Sequence, residues 1–334
     1  MEFTESERQT LIACAKIRRR GSGKLDRESV VKRAKRIFED RAVDLDEGLR
    51  SLELRGALLP KEGSLELGPS WLEKAKGLDT DFECRNFDDW LLRSEASAAY
   101  RDFCLRVYAT PFVQFGMVDA EELEALLAVH ELGKASRVLD LGCGLGTQAE
   151  YLSDRTGASV LGLDFAPGAV ERAKARSAGK RERLEFRLGN LDRLDPSLGA
   201  FDLVYSLDSL YFVDELEAVV ASAFSLLVPG GVFAAFYTED IGEGASSESL
   251  EPGGTKLAQA LLAAGAEFTA KEFSANERRI WKASLEEATA LKAAFEAEGN
   301  LDLWRTRDEE ARSMLALYEA CRARRYLYRA LRRR

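Results

Sequence analysis

The sequence predicts an α/β protein built on a parallel sheet, and three observations favour this fold class. From Ser136 onward, short apolar segments alternate with amphipathic segments of ten or more residues, which is typical of parallel strands joined by helices. The first apolar segment, RVLDLG, runs into a loop containing Gly142, Gly144 and Gly146. Such a loop lies at the carboxyl edge of a parallel sheet, where ligands bind. The composition, 46% apolar and 31% charged over 334 residues, is that of a globular protein.

The first eighty residues predict three helices followed by a hairpin. The segment TESERQTLIACAKIRRR begins with a capping box formed by Thr4 and Glu7, and DRESVVKRAKRIFED is the second helix. The third, DLDEGLRSLELRG, ends at Gly56, and two short apolar runs then flank turn residues 61–63. Three helices and a hairpin resemble a winged-helix module, so we assign residues 1–78 to a winged-helix-like domain.

The charge of the chain argues against nucleic acid as a partner. The net charge is −9, and the third helix carries four acids against two bases, whereas phosphate binding requires a basic face. We therefore expect the N-terminal domain to dimerise or to cover a substrate. The basic C-terminal run ARRYLYRALRRR predicts a solvated edge strand and tail.

The rest of the chain predicts a helical connector and an α/β domain. Residues 79–130 are amphipathic and interrupted at Pro111 and Gly116, which favours a connector that covers the ligand site. Residues 131–334 form the α/β domain, and two long helices, 276–298 and 308–323, are inserted between its last two strands. The predicted strands are RVLDLG, SVLGLD, LEFRLGN, FDLVYSLDS, VFAAFYTED, AEFTAKEF and RRYLYRALR.

The glycine loop alone is compatible with more than one ligand. No lysine follows the glycines, which excludes a Walker phosphate loop, but a dinucleotide frame is possible through Ala149. Asp140 would repel a pyrophosphate and attract a cation. Asp164 ends the next strand, where an acid accepts ribose hydroxyls, and Asn190 offers an amide to an adenine edge. Together these residues favour S-adenosylmethionine over a nicotinamide dinucleotide.

Five segments resemble, in order and spacing, the motifs of class I S-adenosylmethionine-dependent methyltransferases of the small-molecule type: VLDLGCGLG, GLDFAPGAVERAK, LEFRLGNLDRL, FDLVYSLDSLYFV and LLVPGGVFAAF. The resemblance covers residues 86–334. It implies a Rossmann-like seven-stranded sheet of order 3-2-1-4-5-7-6 with strand 7 antiparallel, and S-adenosyl-L-methionine as cofactor. The cofactor-binding residues that it implies are Asp140, Gly142, Cys143, Gly144, Gly146, Asp164, Phe165, Asn190, Leu191 and Ser206.

The chemistry of methyl transfer limits which classes of molecule can accept the methyl group. The enzyme must hold a nucleophile in line with the methyl group, and it needs a base only when the nucleophile must lose a proton. In the family, methylation of phenols often uses a histidine after the fifth strand, whereas the single histidine of this chain, His130, precedes the first strand. We therefore expect N-methylation of a small amine. The alternatives are a thiol or another small nucleophile, and, in another class, a cofactor-sensing winged-helix regulator.

The candidate acceptor residues combine aromatic rings with one carboxylate, which suits a cationic amine. The catalytic candidates are Asp208, Tyr211, Tyr237 and Tyr108, and the substrate-binding candidates are Gln114 and Trp281. The five cysteines are scattered, so we expect reduced thiols and no metal site. No apolar run approaches the roughly 20 residues that span a bilayer, and the N-terminus lacks a signal pattern. We expect a cytoplasmic enzyme with a small-molecule substrate, no nucleic-acid or membrane partner, and homodimerisation as an option.

Overall fold

The computed structural model describes residues 2–19, 25–38, 43–61 and 64–333. The chain divides into two compact units, Met1–Asn86 and Phe87–Arg334. Among the described residues, no helix combines the length and apolar character needed to cross a membrane.

The first unit contains the helices and hairpin expected from the sequence. Its elements are α1 (Glu5–Arg19), α2 (Arg27–Phe38), α3 (Leu45–Leu54), the antiparallel strands β1 (Leu58–Lys61) and β2 (Ser64–Leu67), and the first part of α4 (Pro69–Ala96). The amide of Thr4 donates to Glu7 Oε2 at 3.0 Å and the amide of Glu7 donates to Thr4 Oγ1 at 3.2 Å, which is the predicted capping box. Gly56 follows α3 at φ +66°. Turn residues 62–63 lie outside the described residues.

The second unit is a seven-stranded sheet with helices on both faces. The strands are β3 (Arg137–Leu141), β4 (Ser159–Asp164), β5 (Leu184–Leu188), β6 (Phe201–Leu207), β7 (Leu227–Asp240), β8 (Glu267–Glu272) and β9 (Ala323–Leu331). Their order is β5-β4-β3-β6-β7-β9-β8, and β9 is antiparallel to both of its neighbours. This is the predicted order 3-2-1-4-5-7-6 with a reversed strand 7.

The first two helices of this unit precede the sheet, and the others connect its strands. They are α5 (Ala98–Tyr108), α6 (Ala120–Leu127), α7 (Thr147–Thr156), α8 (Pro167–Arg176), α9 (Leu216–Ser225), α10 (Lys256–Ala263), α11 (Ser274–Ala297) and α12 (Leu301–Glu319). Successive strand residues enter different cores: Val138 packs with Leu152 of α7, and Leu139 packs with Val219 of α9. Both faces of the sheet are therefore buried, which explains the nearly continuous apolar strands.

Two boundaries differ from the sequence prediction. The fifth strand, VFAAFYTED, was predicted to begin at Val232, but β7 begins at Leu227, where it pairs with Phe201 of β6. Helix α12 begins at Leu301 rather than at residue 308, because its first turns pack inward. Leu303 is fully buried, and the indole of Trp304 donates to the carbonyl of Ala288 on α11 at 2.8 Å.

The basic C-terminal run is not the solvated edge strand that its composition predicted. Strand β9 lies between β7 and β8, and Arg325 is 0% exposed. Its guanidinium donates to both carboxylate oxygens of Glu122 at 2.8 and 3.0 Å, and to both of Asp208 at 2.7 and 3.1 Å. Glu277 lies 3.9 Å from the same guanidinium. We call Arg325, Glu122, Asp208 and Glu277 the Arg325 cluster, which joins β9 to α6, to the loop after β6 and to α11.

Replacement of Arg325 tests how strongly the fold depends on this cluster. Arg325→Gln leaves three buried carboxylates without their guanidinium, so we expect a loss of about 3–5 kcal/mol in the free energy of unfolding. Arg324→Gln is the matched control, because Arg324 is adjacent on β9 and forms a half-exposed ion pair with Glu272; it should cost about 0–1 kcal/mol. Denaturant titration measures both, and equal losses would contradict the assignment.

Candidate active site

In the glycine loop after β3, Gly142 and Gly146 are closely packed, whereas Gly144 has free space beside it. Gly142, Gly144 and Gly146 have φ values of +83°, +50° and +69°, a region that residues with a Cβ rarely adopt. A Cβ on Gly142 would lie 2.3 Å from Ser209 Cβ, and one on Gly146 would lie 2.5 Å from a ring carbon of Phe186. Among the described residues, a Cβ on Gly144 meets only a methyl of Leu91, at 3.9 Å. Gly144 therefore leaves room for a ligand against the backbone.

Asp164 fixes the loop from the end of β4. Its Oδ2 accepts from the amide of Gly144 at 2.7 Å, and its Oδ1 accepts from the amide of Ala166 at 2.9 Å. Burial raises the pKa of this carboxyl, and the backbone donors oppose that shift. Each oxygen keeps a second lone pair that could accept a ribose hydroxyl. The position is the one expected for a ribose-binding acid.

Asp140 lies at the end of β3, 2% exposed, and accepts from the hydroxyl of Tyr205 at 2.7 Å. Burial raises the pKa of Asp140 to about 7, the hydrogen bond from Tyr205 opposes the shift, and the charge of Asp164 adds to it. A cation near this group would favour its ionised form. A positively charged ligand near Asp140 remains a prediction from the sequence.

Cys143 fills space beneath the loop rather than lining it. It is 5% exposed, and a Cβ on Gly162 of β4 would lie 2.8 Å from its sulfur. Burial raises the pKa of the Cys143 thiol well above its usual range. Its side chain is therefore inert packing, and its contribution to ligand binding is restricted to its backbone.

The predicted adenine side lies beyond β4 and β5. The ring of Phe165 is 5.8 Å from that of Phe87, which also contacts the rings of Phe115 and Phe212 at 4.8 Å each. Asn190 and Leu191 follow β5, and Asn190 Oδ1 accepts from the amide of residue 192 at 2.9 Å. The NH₂ group of Asn190 has no partner within the described part of the chain, so it is available to an adenine nitrogen.

Ser206 is connected to the glycine loop through the hydroxyl of Ser209. It is fully buried at the end of β6, with its hydroxyl 2.6 Å from that of Ser209. Ser209 in turn donates to the carbonyl of Leu141, just before the glycine loop. The pair therefore anchors the loop to β6, and Ser206 offers a ligand no exposed surface.

The acceptor candidates Asp208, Tyr211 and Tyr237 come together at the ends of β6 and β7. The rings of Tyr211 and Tyr237 lie 4.8 Å apart at 31°, and Tyr211 Oη is 3.4 Å from Asp208 Oδ1. Asp208 does not present a free carboxylate, because it is paired with Arg325 and accepts from the amide of Met117 at 2.8 Å. Its carboxylate is therefore engaged by Arg325 and by the backbone of the connector.

Tyr108 ends α5, and Gln114 lies in the connector between α5 and α6. The hydroxyl of Tyr108 donates to the sulfur of Met117 at 3.5 Å, within the apolar core. Gln114 Nε2 donates to the carbonyl of Val118 at 2.7 Å, while its Oε1 accepts from Gln148 Nε2 at 2.8 Å. Gln114 therefore links the connector to α7, which begins at the glycine loop. Both side chains are engaged inside the protein.

The sequence did not reveal the members of the Arg325 cluster other than Asp208. Glu122, Glu277 and Arg325 are at most 2% exposed. Glu277 lies four residues before Trp281, on the apolar face of α11, and a charged residue on such a face was the available signal. Burial raises the pKa of Glu122 to about 7 and also raises that of Glu277.

Trp281 lies on α11, four residues after Glu277 of the Arg325 cluster. It is 6% exposed and packs in one apolar core with Tyr108 and Met117. Its indole nitrogen has no acceptor among the residues that the structure describes. The described residues also contain no group of three or more acidic, cysteine or histidine side chains suited to a metal ion.

Comparison with known proteins agrees with this geometry. Residues 138–231 match the family described as a methyltransferase domain. The chain is 28% identical over 172 residues to sterol 24-C-methyltransferase of Saccharomyces cerevisiae. The aligned segment covers 47% of this chain and 44% of that protein. The chain is 28% identical over 126 residues to phosphoethanolamine N-methyltransferase of Triticum aestivum, 38% of this chain and 25% of that protein. The chain therefore matches less than half of each relative.

Solved structures show the same fold at low identity. Phosphoethanolamine N-methyltransferase 2 of Haemonchus contortus, in complex with phosphomonomethylethanolamine and S-adenosylhomocysteine, has a TM-score of 0.58 at 18% identity, over 74% of this chain and 60% of that one. The cyclopropane synthase MmaA2 of Mycobacterium tuberculosis also has a TM-score of 0.58, at 14% identity, over 73% of this chain and 98% of that one. The second unit therefore shares the fold of these enzymes, and residues 138–231 within it match a methyltransferase domain.

Proposed function

We propose that the protein transfers a methyl group from S-adenosylmethionine to the nitrogen of a small amine. The observation that carries this proposal is the acidic composition of the Arg325 cluster, where three buried carboxyl groups lie against one guanidinium. One guanidinium balances a single carboxylate, so a ligand that brings a positive charge would stabilise the ionised form of the others. The adjacent rings of Tyr211 and Tyr237 would offer an aromatic surface to such a cation.

The residues around the glycine loop fit the cofactor. Gly144 would provide space for its methionine part, Asp164 would accept its ribose hydroxyls, and Asp140 would balance its positive charge. Phe165, Asn190 and Leu191 would contact its adenine. The cofactor supplies a methyl group on a positively charged sulfur.

The acceptor side would orient the amine and take up its proton. An amine attacks only through its free lone pair, so a protonated substrate must first lose a proton. Burial raises the pKa of Glu277, so this carboxyl would take up the proton more readily than an exposed one. Asp208 would fix the charge of the cluster, and Tyr108 and Gln114 would hold the connector in place. No step requires a histidine.

The relatives support an amine acceptor and raise one further candidate. The wheat relative is a phosphoethanolamine N-methyltransferase, whose name indicates methylation of an amine nitrogen. The yeast relative is a sterol 24-C-methyltransferase, so a carbon acceptor is the second candidate. The observation that favours it is the group of rings around Phe87, because aromatic faces also stabilise a carbocation.

A turnover screen tests the proposal. The protein is incubated with S-adenosylmethionine and separate amines, thiols, phenols and a sterol alkene, and S-adenosylhomocysteine is quantified while the methylated atom is identified by NMR. We expect methylation of amines. Asp208→Asn should raise KM for the amine about tenfold and leave cofactor affinity unchanged, whereas Asp202→Asn, at the opposite end of β6, should change neither. Methylation only of carbon, sulfur or oxygen would overturn the proposal.

The pH dependence of cofactor binding tests Asp140. Burial raises its pKa to about 7, so between about pH 4 and 7 the folded protein holds a proton that a nearby cation displaces. Affinity for S-adenosylmethionine should therefore rise with pH up to about 7 and then level off. Affinity for S-adenosylhomocysteine, which lacks the sulfonium charge, should change less.

Calorimetric titration of both ligands across this range provides the measurement. Asp140→Asn should flatten the profile for S-adenosylmethionine. Glu122→Gln is the control, because the pKa of Glu122 is also raised to about 7 but this residue lies in the Arg325 cluster; it should preserve the slope. A flat wild-type profile, or a slope retained by Asp140→Asn, would contradict the role of Asp140.

Gly144→Ala tests the open position in the loop. The new methyl group meets no close protein atom, so the fold should lose only about 1–2 kcal/mol from the left-handed backbone. Cofactor affinity should fall at least tenfold, or about 1.4 kcal/mol, because the methyl group occupies ligand space. Gly265→Ala is the matched control, with φ +71° and no described atom within 4 Å of the added Cβ. Equal cofactor affinity in both variants would refute the assignment.

A further inference from the structure

Arg307 on α12 directs most of its hydrogen-bond donors to uncharged oxygens inside the protein. Its side chain is 1% exposed. Nη1 donates to Glu310 at 3.0 Å, whereas Nε donates to the hydroxyl of Tyr100 at 2.8 Å. Nη2 donates to the carbonyls of Gln114 and Phe115, at 3.1 and 2.8 Å. Because a guanidinium presents its donors in a rigid planar fork, it fixes these two carbonyls relative to α12.

Gln114 holds the segment that follows it. Its Nε2 donates to the carbonyl of Gly116 at 3.1 Å and to that of Val118 at 2.7 Å. Together with the bonds from Arg307, these contacts give a donor to four of the five carbonyls in residues 114–118. We call residues 114–118 the strap. Its backbone is therefore fixed along nearly its whole length.

The strap places two backbone groups beside Asp208. The amide of Met117 donates to Asp208 Oδ2 at 2.8 Å. A Cβ on Gly116 would lie 3.1 Å from the same oxygen and 3.2 Å from Asp208 Cβ, so the backbone of the strap packs directly against this side chain. The carboxylate of Asp208 is thus held by the strap in addition to Arg325.

The backbone of Asp208 has an uncommon conformation. Its φ is +59°, in the left-handed region that residues with a side chain rarely adopt. Such a conformation persists where the surrounding contacts determine it, and it is frequent at functional sites. The contacts that determine it here are those with Met117, Gly116 and Arg325. The position of the Asp208 carboxylate therefore depends on the strap.

We propose that Arg307 is a positioning residue of the methyl-acceptor site. It holds the strap so that Met117 and Gly116 fix the carboxylate of Asp208 where it meets a cationic amine, and it acts through the strap rather than by touching the acceptor. This inference rests on the proposed amine methylation and adds a residue of the inserted helices to that site.

Nitrogen-15 labelling of methionine tests the strap without any acceptor. The chain has three methionines, so its labelled spectrum is simple and the amide signal of Met117 is easily assigned. Arg307→Lys replaces the fork by a single ammonium, and we expect the Met117 signal to shift by more than its linewidth. Arg312→Lys is the matched control, because Arg312 lies on the same helix in an ion pair with Asp308 and should leave this signal in place.

Steady-state kinetics measure the consequence for the acceptor. The substrates are S-adenosylmethionine and the amine that has the lowest KM in the turnover screen. Arg307→Lys should raise KM for the amine about fivefold and leave kcat and cofactor affinity within about twofold, because an interaction that orients the bound acceptor is lost. Arg312→Lys should change none of these quantities.

Gly116→Ala tests the same device with the contacts of Arg307 intact. The φ of Gly116 lies outside the left-handed region, and the added methyl group would lie 3.1 Å from Asp208 Oδ2. We expect the Met117 signal to shift and KM for the amine to rise about threefold or more. Gly133→Ala is the matched control, with no described atom within 4 Å of the added Cβ. This pair keeps the test independent of how well Arg307→Lys folds.

A double-mutant cycle separates positioning from a merely structural role. If Arg307 acts through Asp208, Arg307→Lys should raise KM less than about twofold in the Asp208→Asn background, because the carboxylate that it positions is already altered. A structural role would instead give the full effect in both backgrounds.

Three results would overturn the role of Arg307. One is an unchanged Met117 signal in both Arg307→Lys and Gly116→Ala. Another is a fall in kcat with an unchanged KM for the amine. The third is a full fivefold effect of Arg307→Lys in the Asp208→Asn background. Failure of the proposed function appears elsewhere, as the absence of amine methylation in the turnover screen, and the methionine spectra still test the strap in that case.

Discussion

The buried guanidinium of Arg325 is the contact on which the acceptor side of the fold depends. Because β9 is antiparallel, Arg325 lies opposite Thr238 near the carboxyl end of β7. From there it reaches Glu122 on α6 and Asp208 after β6, and lies beside Glu277 on α11. A buried guanidinium is costly unless carboxylates pair with it, so the cluster restricts four elements to one mutual arrangement.

The connector between α5 and α6 links this cluster to the glycine loop. The amide of Met117 donates to Asp208, and Gln114 accepts from Gln148 on the helix that follows the loop. Arg307 of α12 holds the same segment by donating to the carbonyl of Phe115 at 2.8 Å. The segment is thus tied to the loop, to the cluster and to the inserted helices. A displacement at one of these points would strain the contacts at the others.

The parts of the structure that the sequence predicted are those encoded locally. Alternating apolar segments indicated the strands, and the motif series indicated their order together with the loop positions of Asp140 and Asp164. Arg325 was misassigned because its partners are remote: Glu122 lies 203 residues away and Asp208 lies 117 residues away. Composition alone made its strand a solvated edge. A charge can be recognised as buried only once the fold supplies its counter-charges.

The contrast between locally encoded segments and remote contacts also applies to the residues proposed to select the methyl acceptor. The family match ends at residue 231, whereas α11 begins at Ser274. This helix carries Glu277 of the Arg325 cluster, and contacts along α5 fix its position. The matched region contains the glycine loop with Asp140 and Asp164, and also the acceptor candidates Asp208 and Tyr211. Glu277 and Tyr237 lie outside it, so a relative can match this segment of the chain and still differ at part of the residues proposed to meet the acceptor.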